Sequence, residues 1–239
     1  MNNCKTCENP VVGNFCTNCG LPVKLKRIDG RYILHEIQLI IQLEKGILYT
    51  IKELLTRPGQ SIREFVAENR NRLIKPFIFI IVSSLIYSIV CKYMSVVGGY
   101  IEFSAAEGSS TSLIYNWIQS HYGYANIIIG AFMAIWIKIF FRKYDYNYFE
   151  ILILLCFVMG IGMLILSVFA FFEGLTHWGL MQVSSILGMI YTTWAIGQFF
   201  DRKKISSYWK ALASYLLGFI TFALLVKYSV IVFDLIAKY

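Results

Sequence analysis

Long apolar runs after position 76 constrain the fold of this chain more than any other feature of its sequence. The runs cover residues 77–97, 124–141, 149–172, 179–200 and 209–233. About 20 predominantly apolar residues in a helix cross a bilayer core about 30 Å thick, so each run is long enough to span, the second only barely. The sequence therefore predicts an all-α membrane protein, with about five transmembrane helices in a bundle over residues 77–239.

The composition agrees with this prediction. Hydrophobic residues make up 57% of the chain and charged residues 15%, whereas soluble domains have about 45–50% and about 25%. The net charge of +8 does not indicate nucleic acid, because 12 of the 22 Lys and Arg residues precede position 77 and most others lie at the ends of apolar runs. Such placement sets membrane topology. We expect the lipid bilayer as a partner and no nucleic acid.

The charges of the loops predict an orientation. The segments 98–123 and 173–178 contain no Lys or Arg. The alternate segments are basic, with Arg142 and Lys143 between the second and third runs, and Arg202, Lys203, Lys204 and Lys210 between the fourth and fifth. Positive charge marks the cytoplasmic side. We therefore expect a multi-pass protein of the bacterial inner membrane, with its N-terminus in the cytoplasm and its C-terminus outside.

Two Cys-x-x-Cys pairs lie near the N-terminus. Cys4 and Cys7 form the first pair, and Cys16 and Cys19 follow after eight residues. Two such pairs can hold one metal ion in a closed tetrahedral site, which is the usual geometry of structural zinc. Two disulfides, a redox pair and an iron–sulfur centre are the alternatives; a reducing cytosol disfavours the first. The spacing predicts a zinc ribbon or knuckle over residues 1–23, with zinc as a structural cofactor.

Residues 24–76 form a basic connector between the knuckle and the first span. Apolar positions at helical spacing predict amphipathic helices at the cytoplasmic membrane surface. Pro58-Gly59 would end one helix, and the capping-box pattern from Ser61 to Glu64 would begin the next. Four arginines are candidates for binding a lipid headgroup or polyphosphate, and the alternative is a collar that only sets topology. They are Arg57, Arg63, Arg70 and Arg72.

This first third of the chain resembles an uncharacterised family of bacterial membrane proteins. The resemblance rests on the cysteine pairs and on the segments Thr56-Arg57-Pro58-Gly59, Ile62-Arg63-Glu64-Phe65, Asn69-Arg70 and Lys75-Pro76-Phe77. It implies an N-terminal zinc ribbon followed by a connector with the pattern TRPG…IREF…R…PF, and it implies no activity. The layout of five spans after a cytoplasmic amphipathic segment is distantly similar to that of Yip-type trafficking proteins.

Two small groups of polar residues are further candidates. Lys227 in the fifth run and Asp234 at its end are two helical turns apart, and could form an intramembrane polar site or lie at the outer headgroups. His121 and His177 are expected on the outer side with Glu102, Glu107 and Glu173. A catalytic role would require those side chains to come within hydrogen-bond reach of one another.

Three functions remain open from the sequence. The first is a non-enzymatic assembly, trafficking or scaffold component whose zinc ribbon docks a cytoplasmic partner or organises a homo-oligomer. The second is a small transporter, channel or lipid translocator whose substrate contacts Lys227, Asp234 and the arginines of the connector. The third is a lipid-modifying membrane enzyme that uses the outer histidines. We expect the first, because the recognisable chemistry is confined to a closed metal site and a basic surface.

Overall fold

A computed structural model describes residues 2–4, 7, 10–11, 16–19, 46–94 and 122–237. The chain divides into two compact units, Met1–Glu44 and Lys45–Tyr239. In the first unit, strand β1 (Asn2–Asn3) pairs in antiparallel fashion with strand β2 (Pro10–Val11). Asn2 lies opposite Val11, and Asn3 lies opposite Pro10. Cys4 directly follows β1, so the strand pair fixes the start of the segment that carries the first two thiols.

In the described residues of the second unit, every element of regular secondary structure is a helix. Two short helices come first, and five longer ones follow. They are α1 (Ile47–Thr56), α2 (Pro58–Ala67), α3 (Pro76–Met94), α4 (Tyr122–Phe140), α5 (Tyr148–Thr176), α6 (Met181–Asp201) and α7 (Ile205–Ala237).

The coarse prediction, a helical protein with segments able to cross a membrane, is confirmed for the described residues of the second unit. Among the residues that the structure describes, three helical segments are long and apolar enough to cross a membrane: Pro76–Met94, Tyr148–Thr176 and Ile205–Ser229. Ala125–Phe140 is a shorter apolar helix. Helices α3 to α7 overlap the five predicted runs, although α7 begins at Ile205 rather than at residue 209. The polar first turn of α7 lies outside the apolar run, so hydropathy alone did not reveal it.

Helix α5 is the central helix of this unit. It packs against α3, α4 and α6, and it also contacts α1 and α2. Phe157 is fully buried on α5, and its ring contacts Phe65 of α2 at 5.2 Å and Phe79 of α3 at 5.9 Å between centroids. Gly160 allows this approach, because a Cβ there would lie 2.6 Å from the Phe79 ring. The core therefore joins the short helices to the long ones.

The break between α1 and α2 differs from the predicted capping box. Helix α2 begins at Pro58, which suits a first helical position because proline has no N–H to leave unpaired there. Ser61 lies inside this helix, and its hydroxyl donates to Glu53 instead of capping a helix end. The capping-box prediction is therefore wrong. A real capping box begins α5, where Asn147 and Glu150 each accept from the other's backbone N–H.

Candidate metal centre and the Glu53 network

The four N-terminal thiols lie together. Their sulfur atoms are all within 4.8 Å of one another. The Sγ atoms of Cys4 and Cys19 are 3.5 Å apart, and those of Cys7 and Cys16 are also 3.5 Å apart. A disulfide bond would be about 2.05 Å long. The close pairs join the first Cys-x-x-Cys turn to the second, so the four residues form one cluster that could hold a metal ion.

The backbone around Cys16 favours the ligand form of its thiol. Cys16 is buried, with 2% of its surface exposed. Backbone N–H groups of Cys19 and then Asn18 donate hydrogen bonds to its sulfur, and they lower the pKa of the Cys16 thiol against the opposing effect of burial. Thiolate is the form that binds metals. The second turn thus presents a sulfur that is prepared for coordination.

The other two cysteines lie elsewhere. Cys91 is on α3 and Cys156 is buried on α5, where both belong to an apolar cluster with Ile80 and Leu166. A buried free cysteine commonly packs as a small apolar residue. In the part of the chain that the structure describes, the N-terminal cluster is the one group of three or more metal-ligating side chains.

A second polar assembly, which we call the Glu53 network, consists of Glu53, Arg57, Ser61, Glu64 and Arg72. Glu53 lies at its centre with only 8% of its side chain exposed. A buried carboxylate is tolerated when hydrogen bonds satisfy it. Arg57 donates to both carboxylate oxygens at 3.0 and 2.8 Å, Ser61 donates at 2.8 Å, and Arg72 donates at 3.2 Å.

Hydrogen bonding keeps Glu53 ionised. The hydrogen bonds from Arg57 lower the pKa of the Glu53 carboxyl, and they outweigh burial, which acts in the opposite direction. The Ser61 hydrogen bond and the charges of Arg57 and Arg72 lower it further. An ionised Glu53 therefore holds both arginines.

Arg72 connects the network to the chain on either side of α2. Its guanidinium pairs with Glu64 as well as Glu53, and its Nε donates to the Tyr49 hydroxyl at 3.2 Å. Two residues later, the Ile74 backbone N–H donates to the buried Thr50 hydroxyl at 3.2 Å. These contacts tie the segment before α3 back to α1.

Arg63 and Gly59 fasten α2 to the end of α6. The Arg63 guanidinium donates to the backbone carbonyls of Gln198 and Phe199 at 2.5 and 2.8 Å. Carbonyls in a last helical turn have no partner within the helix and carry the negative end of its dipole. A Cβ on Gly59 would lie 2.4 Å from the Gln198 carbonyl carbon. Glycine is therefore required for this close approach.

Helix α6 also contacts α1, through a buried hydrogen bond. The Tyr191 hydroxyl donates to the Leu54 carbonyl at 3.0 Å, across 137 residues of sequence. Leu54 and Ile62 are completely buried. The charged network and these apolar contacts together fix α1 and α2 against α5 and α6.

The candidate phosphate-binding arginines have different environments. Arg57 and Arg72 contact carboxylates, and Arg63 contacts backbone carbonyls. Arg70 is exposed on the segment between α2 and α3. The phosphate site stays a prediction, but three of its four guanidinium groups have partners within the chain.

The remaining candidates are only partly described. Lys227 is exposed on α7, whereas the side chain of Asp234 and the residues His121, Glu102 and Glu107 lie outside the described part of the chain. His177 ends α5 in the left-handed conformation, with φ of 57°. Glu173 accepts from the Met181 N–H at 2.7 Å, where a carboxylate suits the positive end of α6. His177 and Glu173 thus both have local structural roles.

Sequence reasoning missed the central role of Glu53. The amphipathic helices predicted for the connector did not single out Glu53, whose side chain is buried. The signal that could have found it is the spacing of Glu53 and Arg57, since an acid four residues before a base forms an ion pair on a helix. The Asn147-x-x-Glu150 capping box was also readable, but it was overlooked.

Fold and site together define a helical protein with membrane-crossing segments, a docked pair of short helices and an N-terminal thiol cluster. Residues 44–88 match the model of a family described as protein of unknown function (DUF3667). The matched segment contains α1, α2, most of α3 and the whole Glu53 network. No curated protein and no solved structure matches the chain.

Proposed function

We propose that this chain is a membrane scaffold with five spans, whose cytoplasmic N-terminal knuckle binds one structural zinc ion and docks a cytoplasmic protein. The observation that carries the proposal is the gathering of four thiols within 4.8 Å, two from each Cys-x-x-Cys turn. The recognisable chemistry in the described residues is this cluster and a set of structural ion pairs, which suits binding rather than catalysis.

The sulfur geometry fits zinc. Zn–S bonds of about 2.3 Å in a tetrahedron separate the sulfurs by about 3.8 Å. The two shortest separations here are 3.5 Å, and none exceeds 4.8 Å, so shifts of under about 1 Å complete the site. Cys4, Cys7, Cys16 and Cys19 would hold the ion. Four thiolates leave no open position for a substrate, which favours a structural and docking role.

Helices α4 and α6 complete the proposed set of five spans. Their 19 and 21 residues correspond to about 29 and 32 Å at 1.5 Å per residue, close to the thickness of a bilayer core. Only residues 177–180 separate α5 from α6. Since α5 is long enough to cross and α6 packs against it, α6 would return across the same membrane.

The proposed orientation follows from the loop charges. Arg142 and Lys143 lie between α4 and α5, and Arg202 to Lys204 lie between α6 and α7. In five antiparallel spans, these loops share a side with α1 and α2. The excess of positive charge makes that side cytoplasmic, which places the knuckle in the compartment where thiols remain reduced.

Crosslinking and capture in native membranes tests the docking role. We compare the wild-type chain with the Cys4→Ser, Cys7→Ser variant, and use Cys91→Ala as the matched control. We expect a cytoplasmic protein to copurify with the wild type and the control but not with the double variant. The purified partner should then bind the full chain, and zinc chelation should release it. Equal capture by all three chains would refute docking through the knuckle.

A further inference from the structure

Six exposed cations lie at one end of the helical unit and take no part in the Glu53 network. They come from the loop between α4 and α5 and from the region where α6 passes into α7. All six side chains are exposed: Arg142, Lys143, Arg202, Lys203, Lys204 and Lys210. We call them the two-loop basic surface.

An aromatic stack brings the two loops together. Phe141, directly before Arg142, stacks on Phe200 with ring centroids 4.0 Å apart and planes at 13°. Tyr144 also contacts Phe200, at 5.3 Å between centroids. The Lys210 ammonium lies 5.9 Å from the Phe141 centroid. Charges that are about 60 residues apart in sequence therefore share one surface.

Few carboxylates neutralise this surface. Within residues 141–147 and 201–210, six cations face two acids, Asp145 and Asp201, which leaves a net charge of +4. Lys204 pairs with Asp201 at 2.9 Å. The other five cations form no salt bridge with a described residue. The surface thus remains strongly positive.

Exposed apolar side chains beside the cations indicate a lipid rather than a soluble anion. Phe149 at the start of α5 is 72% exposed, and Ile205 and Trp209 at the start of α7 are 75% and 68% exposed. Tryptophan beside the end of a membrane-crossing helix is typical of the headgroup level. The cations would contact the lipid headgroups, and the apolar side chains at the starts of α5 and α7 would contact the upper acyl chains.

We propose that the two-loop basic surface binds the phosphate groups of anionic phospholipids. This goes beyond the docking role of the knuckle and uses none of its residues. It also differs from the arginine site predicted in the connector, whose Arg57, Arg63 and Arg72 contact groups within the chain. Arg142 and Arg202 supply bidentate donors for phosphate oxygens, and the lysines supply charge.

The test measures lipid binding to the detergent-purified full chain, titrated with phosphatidylglycerol or with zwitterionic phosphatidylcholine. Bound lipids are counted by native mass spectrometry. The wild type should retain phosphatidylglycerol in preference to phosphatidylcholine. The Arg142→Gln, Arg202→Gln variant should bind phosphatidylglycerol about 30-fold more weakly, since each basic residue near an anionic surface contributes about fivefold to the affinity and two residues are removed.

Two variants serve as controls. Arg142→Lys, Arg202→Lys keeps the charge and should retain most of the binding. Lys92→Gln, Lys227→Gln removes two exposed cations elsewhere and should bind as the wild type does. Helical content by circular dichroism checks that every variant folds.

Three results would overturn the proposal. One is equal retention of the two lipids by the wild type. Another is equal loss of binding in the Lys92→Gln, Lys227→Gln control. The third is displacement of phosphatidylglycerol by equimolar inorganic phosphate, which would identify a site for the free anion.

Discussion

The N-terminal thiol cluster and the Glu53 network both hold a short polar segment in place, by different physical means. The thiol cluster is accompanied by one pair of two-residue strands, and its four sulfurs lie within 4.8 Å of one another. The Glu53 network lies over a core in which Leu54, Ile62 and Phe157 are fully buried. A segment as short as the knuckle cannot bury enough apolar surface to fold alone, so a metal ion would supply the energy. The network needs no metal, because packing already positions its charges.

This comparison predicts that a substitution which disrupts one of the two regions leaves the other folded. The largest effect is expected from Cys4→Ser, Cys16→Ser, which removes one thiolate from each turn. Structural zinc sites contribute about 10–16 kcal/mol of binding free energy, so the variant should purify with almost no zinc. Elemental analysis measures this change.

The thermal unfolding midpoint of the helical unit should stay unchanged in the same variant. Cys91→Ala is the control and should keep its zinc. A fall in the helical midpoint together with the loss of zinc would show that the two regions are not independent.

The next largest effect is expected from Gly59→Ala. The new Cβ would lie 2.4 to 2.6 Å from backbone atoms of Gln198 and Phe199, and backbone cannot move aside as a flexible side chain can. Overpacking of this kind costs about 1–3 kcal/mol. Denaturant unfolding in detergent should show the loss, with the zinc content unchanged.

Gly179→Ala is the matched control for that substitution. A Cβ at Gly179 meets no atom within 4 Å, so its unfolding curve should overlay that of the wild type. Equal behaviour of the two alanine variants would contradict the close approach of α2 to α6.

Glu53→Gln tests the centre of the network. A neutral amide cannot satisfy the guanidinium groups of Arg57 and Arg72, and losing hydrogen bonds to a charged group costs about 2 kcal/mol. Replacing a whole buried ion pair by apolar residues is often neutral, so the single substitution is the more informative one. Glu150→Gln on α5 is a partly exposed control and should have a smaller effect.

The pH dependence of stability isolates the ionised form of Glu53. Its pKa in the folded chain lies below the ordinary value of 4.5, so the unfolded chain binds this proton more readily. The stability that ionised Glu53 contributes is therefore complete above about pH 4.5 and is lost as the pH falls through the folded-state pKa. The difference in unfolding free energy between the wild type and Glu53→Gln should shrink over that window. A constant difference would show that charge is not the cause.

The smallest effect is expected from Tyr191→Phe, which removes the hydrogen bond to the Leu54 carbonyl and leaves the ring in place. A neutral hydrogen bond contributes about 1 kcal/mol. The control is Tyr93→Phe, because Tyr93 is 81% exposed. A Tyr191→Phe chain as stable as the control would mean that α1 does not depend on α6.

Local patterns in the sequence were enough to predict the helices and the thiol cluster. Apolar runs reveal helices because each run carries its own signal, and Cys-x-x-Cys places two sulfurs in one turn whatever surrounds it. The contacts of Arg63 with Gln198 and of Tyr191 with Leu54 span more than 130 residues. No local pattern encodes such pairings, so the docking of α1 and α2 on α6 could not be predicted.

The same limit explains the wrong capping box. Ser61 and Glu64 have the right spacing, but Pro58 already starts the helix, and tertiary contacts give both side chains other partners. Ser61 donates to Glu53, and Glu64 pairs with Arg72. A local motif predicts the local structure only where distant residues do not give its side chains other hydrogen-bond or ion-pair partners.

X-ray absorption at the zinc edge, together with the zinc content of the purified full-length chain, tests the central claim most directly. That claim is that metal holds the N-terminal cluster and packing holds the helices. We predict one zinc per chain with four sulfur neighbours at about 2.3 Å. A chain that purifies without zinc, or a zinc shell that contains nitrogen or oxygen in place of sulfur, would contradict the account.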